Sequence, residues 1–359
     1  MRTRKLPLLL LTMMAIAVSA QTPLSDSDLS NAYTLKSIKR QVNLCHDPSI
    51  VMDNITNPSS PVCYIYGSHL GHGKTTANEN YQQWTTWGAY EDATTASNSL
   101  FCNTNGNLIN YANAYNSHSV TKVKNYKGEE VNFGPFNAHN WKYPYNTDDY
   151  RGTIRGNQWA ADIIYNKTMK KWCMYMSING ANWCSSIVCL TSNSPEGPWM
   201  YQGPVVFSGF AGKWKHVGFD KTDDWKKTDL AIATGCTTLP SKYSPSDSYG
   251  NTWPNCIDPC VFYDAEDNLW MSYGSWSGGI FMLRLNKENG LRDYTYRFPN
   301  TGSGKAATSD EYFGKKIAGG YYVSGEASYI EKIGKYYYLF MSYGGLTTTG
   351  GYQMRIFRS

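Results

Sequence analysis

Charge is scarce in this sequence. Of its 359 residues only 17% are charged, 33 basic against 28 acidic, and nowhere do five like charges follow one another. A net charge of +5 over that length leaves no basic stripe for phosphates, so a nucleic-acid partner is excluded. Long apolar runs are missing too. After residue 20 nothing approaches the roughly 20 consecutive apolar residues of a membrane-spanning helix, which gives no membrane span. Leucine- and alanine-rich stretches are few, which speaks against coiled coil and helical bundle. No C-x-x-C pair occurs, and the histidines (His46, His69, His72, His118, His139, His216) are scattered without ligand spacing to the nine cysteines, so no zinc cluster is expected.

What the chain does have is 29 Tyr, 12 Trp and 12 Phe beside 32 Gly, a mixture of strand formers and turn formers that favours an all-β class. Its start is an address: Arg2, Arg4 and Lys5, an apolar run from Leu6 to Val18, and Val18-Ser19-Ala20 before Gln21 read as a signal peptide over residues 1–20. A secreted or periplasmic location follows. A lead-in over 21–39 and one domain over 40–359 complete the organisation. Export permits disulfides, yet the cysteine count is odd and several lie among strand residues, where a thiol behaves as a small hydrophobe; mostly free, buried cysteines are expected.

An internal repeat organises the rest. Asp47-Pro48-Ser49-Ile50-Val51 leads to Cys63-Tyr64-Ile65-Tyr66-Gly67-Ser68, and Asp162-Ile163-Ile164-Tyr165 leads to Trp172-Cys173-Met174-Tyr175-Met176-Ser177. Asp258-Pro259-Cys260-Val261-Phe262 leads to Leu269-Trp270-Met271-Ser272-Tyr273, and Glu326-Ala327-Ser328-Tyr329-Ile330 to Tyr336-Tyr337-Tyr338-Leu339-Phe340. Each copy reads as a hairpin with an acid at its start, followed by further strand-like residues. Repeated antiparallel units of three or four strands predict a β-propeller, whose innermost strands converge on one end of a central channel. Asp47, Asp162, Asp258 and Glu326 then gather in one pocket. Confined carboxylates push one another's pKa values apart, leaving one protonated and another ionised, and glycosidic bond hydrolysis uses such a pair.

At these residues the sequence resembles glycoside hydrolase family 43, and within it the secreted endo-1,5-α-L-arabinanases. The resemblance is carried, in the family's order, by His46-Asp47-Pro48-Ser49, Trp159-Ala160-Ala161-Asp162, Asn255-Cys256-Ile257-Asp258-Pro259, Gly274-Ser275-Trp276-Ser277-Gly278-Gly279-Ile280 and Gly325-Glu326-Ala327-Ser328-Tyr329-Ile330. It implies a five-bladed propeller and hydrolysis with inversion. Asp47 is then the general base that activates water, Glu326 the general acid, and Asp258 the group that orients the acid and holds its pKa up. Inversion needs base and acid about 6.5–9.5 Å apart, with water between. His46, Trp159, Asp162, Asn255, Ser275 and Trp276 are the expected substrate-binding residues. Arabinan or arabino-oligosaccharides are the implied partners; the oligomeric state is left open. Ala161 and Ser328 stand where many members carry proline, and neither change removes a catalytic group.

Two readings compete with endo action: an exo-acting arabinofuranosidase or β-xylosidase of the same family, and a sugar-binding propeller without catalysis. Residues 69–157, with Trp84, Trp87, Tyr90, Trp141, Tyr143 and Tyr145, are expected to supply outer strands of the first blade and loops on the substrate face, as is Lys213–Gly250; His69-Leu70-Gly71-His72 reads as a loop. Met354 to Ser359 reads as the third strand of a fourth blade, so the chain is expected to be a fragment lacking the fifth. The resemblance implies one calcium ion near the active site, associated with a histidine of that missing part; the residues present require no cofactor and name no metal ligand.

Overall fold

The computed structural model describes residues 45–359, apart from 57, 78–82, 88–96, 98, 135–136, 142–156, 211–224, 244–248, 304–305, 324 and 346–349. The leader, the lead-in, Tyr90, Tyr143 and Tyr145 lie outside the described residues, as does part of Lys213–Gly250.

The first sheet takes three antiparallel strands, β1 (Ser49–Asp53), β2 (Val62–Tyr66) and β3 (His72–Thr76). Asp53 starts the turn between β1 and β2: its Oδ1 accepts the backbone N–H groups of Ile55 and Thr56 at 3.0 and 2.9 Å, an Asx turn. The expected loop at His69 to His72 is in fact a 3-10 turn over Ser68–Leu70 that runs straight into β3. His72 is buried there, its ring nitrogens 2.8 and 2.6 Å from the carbonyls of Leu70 and Trp87.

Two short strands, β4 (Phe101–Cys102) and β5 (Leu108–Ile109), come next, then a separate hairpin of β6 (Lys122–Lys124) and β7 (Glu130–Asn132). The second blade is built on β8 (Gln158–Asn166), β9 (Lys171–Ile178), β10 (Ser186–Ser192) and β11 (Trp199–Phe207). Its order is β5-β4-β11-β10-β9-β8, with β4 parallel to β11. This corrects the expectation for residues 69–157: β3 belongs to the first blade, whereas β4 and β5 widen the second. Trp141 is likewise core, fully buried with its indole N–H on the Ser208 carbonyl at 2.8 Å, and Trp87 packs partly buried against the core.

The third blade is β12 (Cys260–Tyr263), β13 (Leu269–Tyr273), β14 (Ile280–Leu285), β15 (Ser309–Asp310) and β16 (Gly314–Ala318), ordered β12-β13-β14-β16-β15. The fourth is β17 (Glu326–Ile333), β18 (Tyr336–Tyr343) and β19 (Gln353–Arg358). The innermost strands follow one another in space, β1 beside β8, β8 beside β12 and β12 beside β17. The described residues thus form four propeller-like blades, and the all-β expectation holds.

Burial follows position in this series. Every residue of β10 is buried, because a blade flanked on both sides has no solvent face and its sequence, Ser-Ile-Val-Cys-Leu-Thr-Ser, is correspondingly uninterrupted by charge. Every residue of β19 is exposed, although Met354, Ile356 and Phe357 are apolar. All nine cysteines are free thiols, seven of them buried, as expected for small hydrophobes in strands.

Candidate active site

The four inner strands share a backbone feature that the acids only partly follow. Asp47, Ala160, Asp258 and Ala327 each have a positive φ, of 50°, 30°, 55° and 53°, at the same step of their blades. Side-chain residues rarely adopt this left-handed conformation, and Asp does so more readily than most. Here it turns the chain into the inner strand and aims the preceding loop at the channel. Against this frame the acids occupy three registers. Asp47 and Asp258 are the left-handed residues themselves, each followed by proline. Glu326 precedes its left-handed residue and opens β17, while Asp162 follows its own and lies inside β8, past a bulge at Ala160, not at the strand start expected of it.

Serines stitch these turns to one another. Ser68, just after β2, donates its hydroxyl to Asp47 Oδ2 at 2.7 Å and accepts the Ala160 N–H at 3.0 Å, joining the first two blades. Ser177 on β9 donates to the Ala160 carbonyl at 3.2 Å and accepts the Asp258 N–H at 3.0 Å, joining the second and third. Asp258 Oδ2 in turn accepts the Ala327 N–H at 3.3 Å. The turn carrying Ser68 depends on Gly67, where a Cβ would stand 2.3 Å from the His46 carbonyl oxygen. Gly67→Ala is therefore expected to displace the His46-Asp47 turn and cost about 1–3 kcal/mol of stability, read by urea denaturation; an unchanged midpoint would refute the close packing.

A cleft of about 440 Å³ lies among these turns, lined by Asp47, Ser49, Asp162, Asp258, Ser328 and Tyr352. A larger groove of about 520 Å³, between Phe262, Trp270, Ile330, Tyr337 and Phe357, is predominantly apolar and lies away from the channel carboxylates, so the smaller one is the candidate site.

The carboxyls in it have unlike surroundings. Asp47 is partly exposed, with His46 Nδ1 2.7 Å from Oδ2. Glu326, also partly exposed, accepts from Ser275 Oγ at 3.1 Å on Oε2 and from the Tyr352 hydroxyl at 2.7 Å on Oε1. Asp258 is buried; desolvation first, and then the nearby charges of Glu326 and Asp47, push it up to about 8. At neutral pH the protonated form of Asp258 is therefore favoured.

Asp162 is buried and pushed up to about 6 by desolvation, against the hydrogen bonds it receives. Its Oδ1 accepts from Ser49 Oγ at 2.6 Å and Oδ2 from the Val261 N–H at 2.6 Å, so it braces three blades from the cleft floor. Of the other expected residues, Ser275 and Trp276 stand beside the Glu326 turn, the Trp276 N–H donating to the Gly325 carbonyl at 2.9 Å. Trp159 is the second residue of β8, next to Ala160, its ring edge-on to His69 at 6.1 Å. Asn255 precedes Asp258, and its buried Oδ1 has no hydrogen-bond partner among the described residues.

Motif reading missed Ser68, Ser177 and Tyr352, since a serine in or just after a strand and a tyrosine in a glycine-rich turn carry no signal until the blades meet. Among the described residues no group of three or more His, Cys, Asp or Glu side chains is arranged to hold a metal ion. No step is derived through the calcium ion that the resemblance implies.

No family model matches the chain. It is 28% identical over 332 residues to the extracellular endo-α-(1→5)-L-arabinanase 2 of Bacillus subtilis, covering 92% of this chain and 51% of that one. It is 33% identical over 207 residues to the extracellular endo-α-(1→5)-L-arabinanase of Thermotoga petrophila, covering 57% of this chain and 36% of that one. The chain thus spans about half the length, or less, of these curated relatives. Among solved structures, an endo-1,5-α-L-arabinanase of Thermotoga petrophila superposes with a TM-score of 0.55 at 26% identity, over 88% of this chain and 52% of that one. A glycoside hydrolase family 43 protein of Bacillus licheniformis, at 24% identity and a TM-score of 0.53, shares the fold. The chain is thus similar to extracellular endo-1,5-α-L-arabinanases and shares its fold with a glycoside hydrolase family 43 protein.

Proposed function

We propose that the chain is the catalytic part of a secreted glycoside hydrolase that cleaves internal α-1,5-L-arabinofuranosidic bonds of arabinan with inversion. The observation that carries this reading is the approach of three carboxyls at one cleft: Asp47, partly exposed, and Asp258, buried and protonated at neutral pH, line it, and Glu326 is joined to its wall by the hydrogen bond from Tyr352. Asp47, held by Ser68, takes a proton from the attacking water as general base. Glu326 gives its proton to the leaving oxygen as general acid. Asp258, neutral between them, adds no second negative charge and orients the turn at Ala327 through its Oδ2. His46, Trp159, Asn255, Ser275 and Trp276 are the groups proposed to hold arabinose units.

The complete propeller is proposed to have five blades, one beyond the four described. Extracellular location is supported by the leader and by the names of both relatives, and no described helix is long and apolar enough to cross a membrane. The test is product analysis on linear 1,5-arabinan with residues 21–359. A ladder of short oligosaccharides is expected. Release of arabinose alone would replace endo with exo action, and binding without any product would leave a sugar-binding propeller.

A further inference from the structure

Glu326 receives two hydroxyl donors, and the one on Oε1 comes from outside every motif considered above. Tyr352 stands at the end of the turn between β18 and β19, its phenol donating to Oε1 at 2.7 Å. Its place is fixed by backbone pairing, since Tyr343 is registered with Gln353 and Gly345 bridges to Gly351. The ring is 46% exposed, so packing does not account for where it lies, and it lines the same cleft as Asp47 and Asp258.

We propose that Tyr352 is a positioning residue for Glu326, fixing Oε1 as the hydrogen-bond acceptor so that the transferable proton resides on Oε2. The inference rests on the hydrolase reading above. As the bond from the anomeric carbon to the leaving oxygen breaks, its electron pair stays on that oxygen. The Oε2 proton moves onto the same oxygen, and the O–H electrons remain on the carboxylate. Negative charge then grows over both Glu326 oxygens. The phenol bond strengthens as it grows, which favours the transition state over the ground state. Ser275, whose hydroxyl rotates freely between donor and acceptor, can receive the Oε2 proton's bond beforehand. Burial first, with the charges of Glu326 and Asp47 also contributing, pushes the phenol up to about 12, so it stays a donor at any working pH.

Two measurements test this. In Tyr352→Phe, kcat on linear arabinan is expected to fall about tenfold with KM within about twofold, and the alkaline limb of kcat to move to higher pH because Glu326 becomes a weaker acid. A nitrophenyl arabino-oligosaccharide, whose leaving group needs no proton, should lose less than about threefold. Equal losses on both substrates, a rise in KM alone, or an unmoved alkaline limb would each overturn the proposal. The contact itself is read without turnover by NMR titration of ring-labelled tyrosine: Glu326→Gln should lower the Tyr352 titration by about one unit, since an ionised neighbour is removed. An unmoved titration overturns the contact even if the protein hydrolyses nothing. Absence of hydrolysis by the parent on both substrates, with that shift present, overturns the hydrolase reading and with it the acid-positioning role.

Discussion

Glu326→Gln is expected to lower kcat on linear 1,5-arabinan by about a thousandfold while leaving the fold and sugar affinity intact. Glutamine matches glutamate in shape: its Oε1 can still accept from Tyr352, and its Nε2 can donate to the Ser275 hydroxyl, so both contacts that fix the side chain are retained. What it cannot do is give up a proton to the leaving oxygen, and general acid catalysis by a positioned carboxyl is worth about 10²–10⁴ in rate. Glu326 is only partly buried and opens its strand, so the change leaves no buried charge or cavity. Steady-state kinetics beside calorimetric binding of an arabino-oligosaccharide decides the matter: a variant that keeps more than about a tenth of the parent rate excludes Glu326 as the acid.

The second large effect concerns stability. Asp258 is pushed up from 3.8 to about 8 by burial, then by Glu326 and Asp47. Between those two values the folded chain holds a proton that the unfolded chain has released. Stability from this group is therefore greatest below about pH 4 and is lost as pH rises through about 8. Asp162, pushed up to about 6, adds a loss of the same sign over a narrower range. Asp258→Asn removes the first dependence and keeps the second. Relative to the parent it is expected to gain roughly 2–4 kcal/mol at about pH 8 and far less at about pH 4, a discounted reading of about 1.4 kcal/mol per pKa unit. Urea denaturation of both proteins across that range measures the difference. A variant that tracks the parent in parallel would show that Asp258 does not hold its proton in the folded state.

How much of this was legible beforehand differs from element to element. The hairpins of all four blades could be read from Tyr-rich strands separated by turn residues, because strand propensity and turn chemistry are local. The same holds for Asp47 and Asp258, since an acid before proline in two blades marks one backbone position. Asp162 was misplaced because the eye aligns acids, whereas the blade aligns left-handed residues, and nothing in Ala160 announces its φ of 30°. Phe101-Cys102 and Leu108-Ile109, within the stretch expected to give outer strands of the first blade and loops, are not legible as strands of the second for a related reason. A two-residue strand has no pattern of its own, and its partner, β11, lies about a hundred residues further along.

By itself, then, the sequence determined the all-β class, the order of the four described blades and the acids at their inner strands, all properties written in short-range composition and spacing. Only the tertiary structure decided which acid is buried and protonated, which braces the blades, and which hydroxyls hold the others. A carboxyl's solvation and its hydrogen-bond partners are set by residues far off in the chain, as Tyr352 on Glu326, Ala327 on Asp258 and Val261 on Asp162 show. Electrostatic energy depends on distance in space, and the folding of one blade against the next is what turns separations of many tens of residues into hydrogen bonds of about 3 Å.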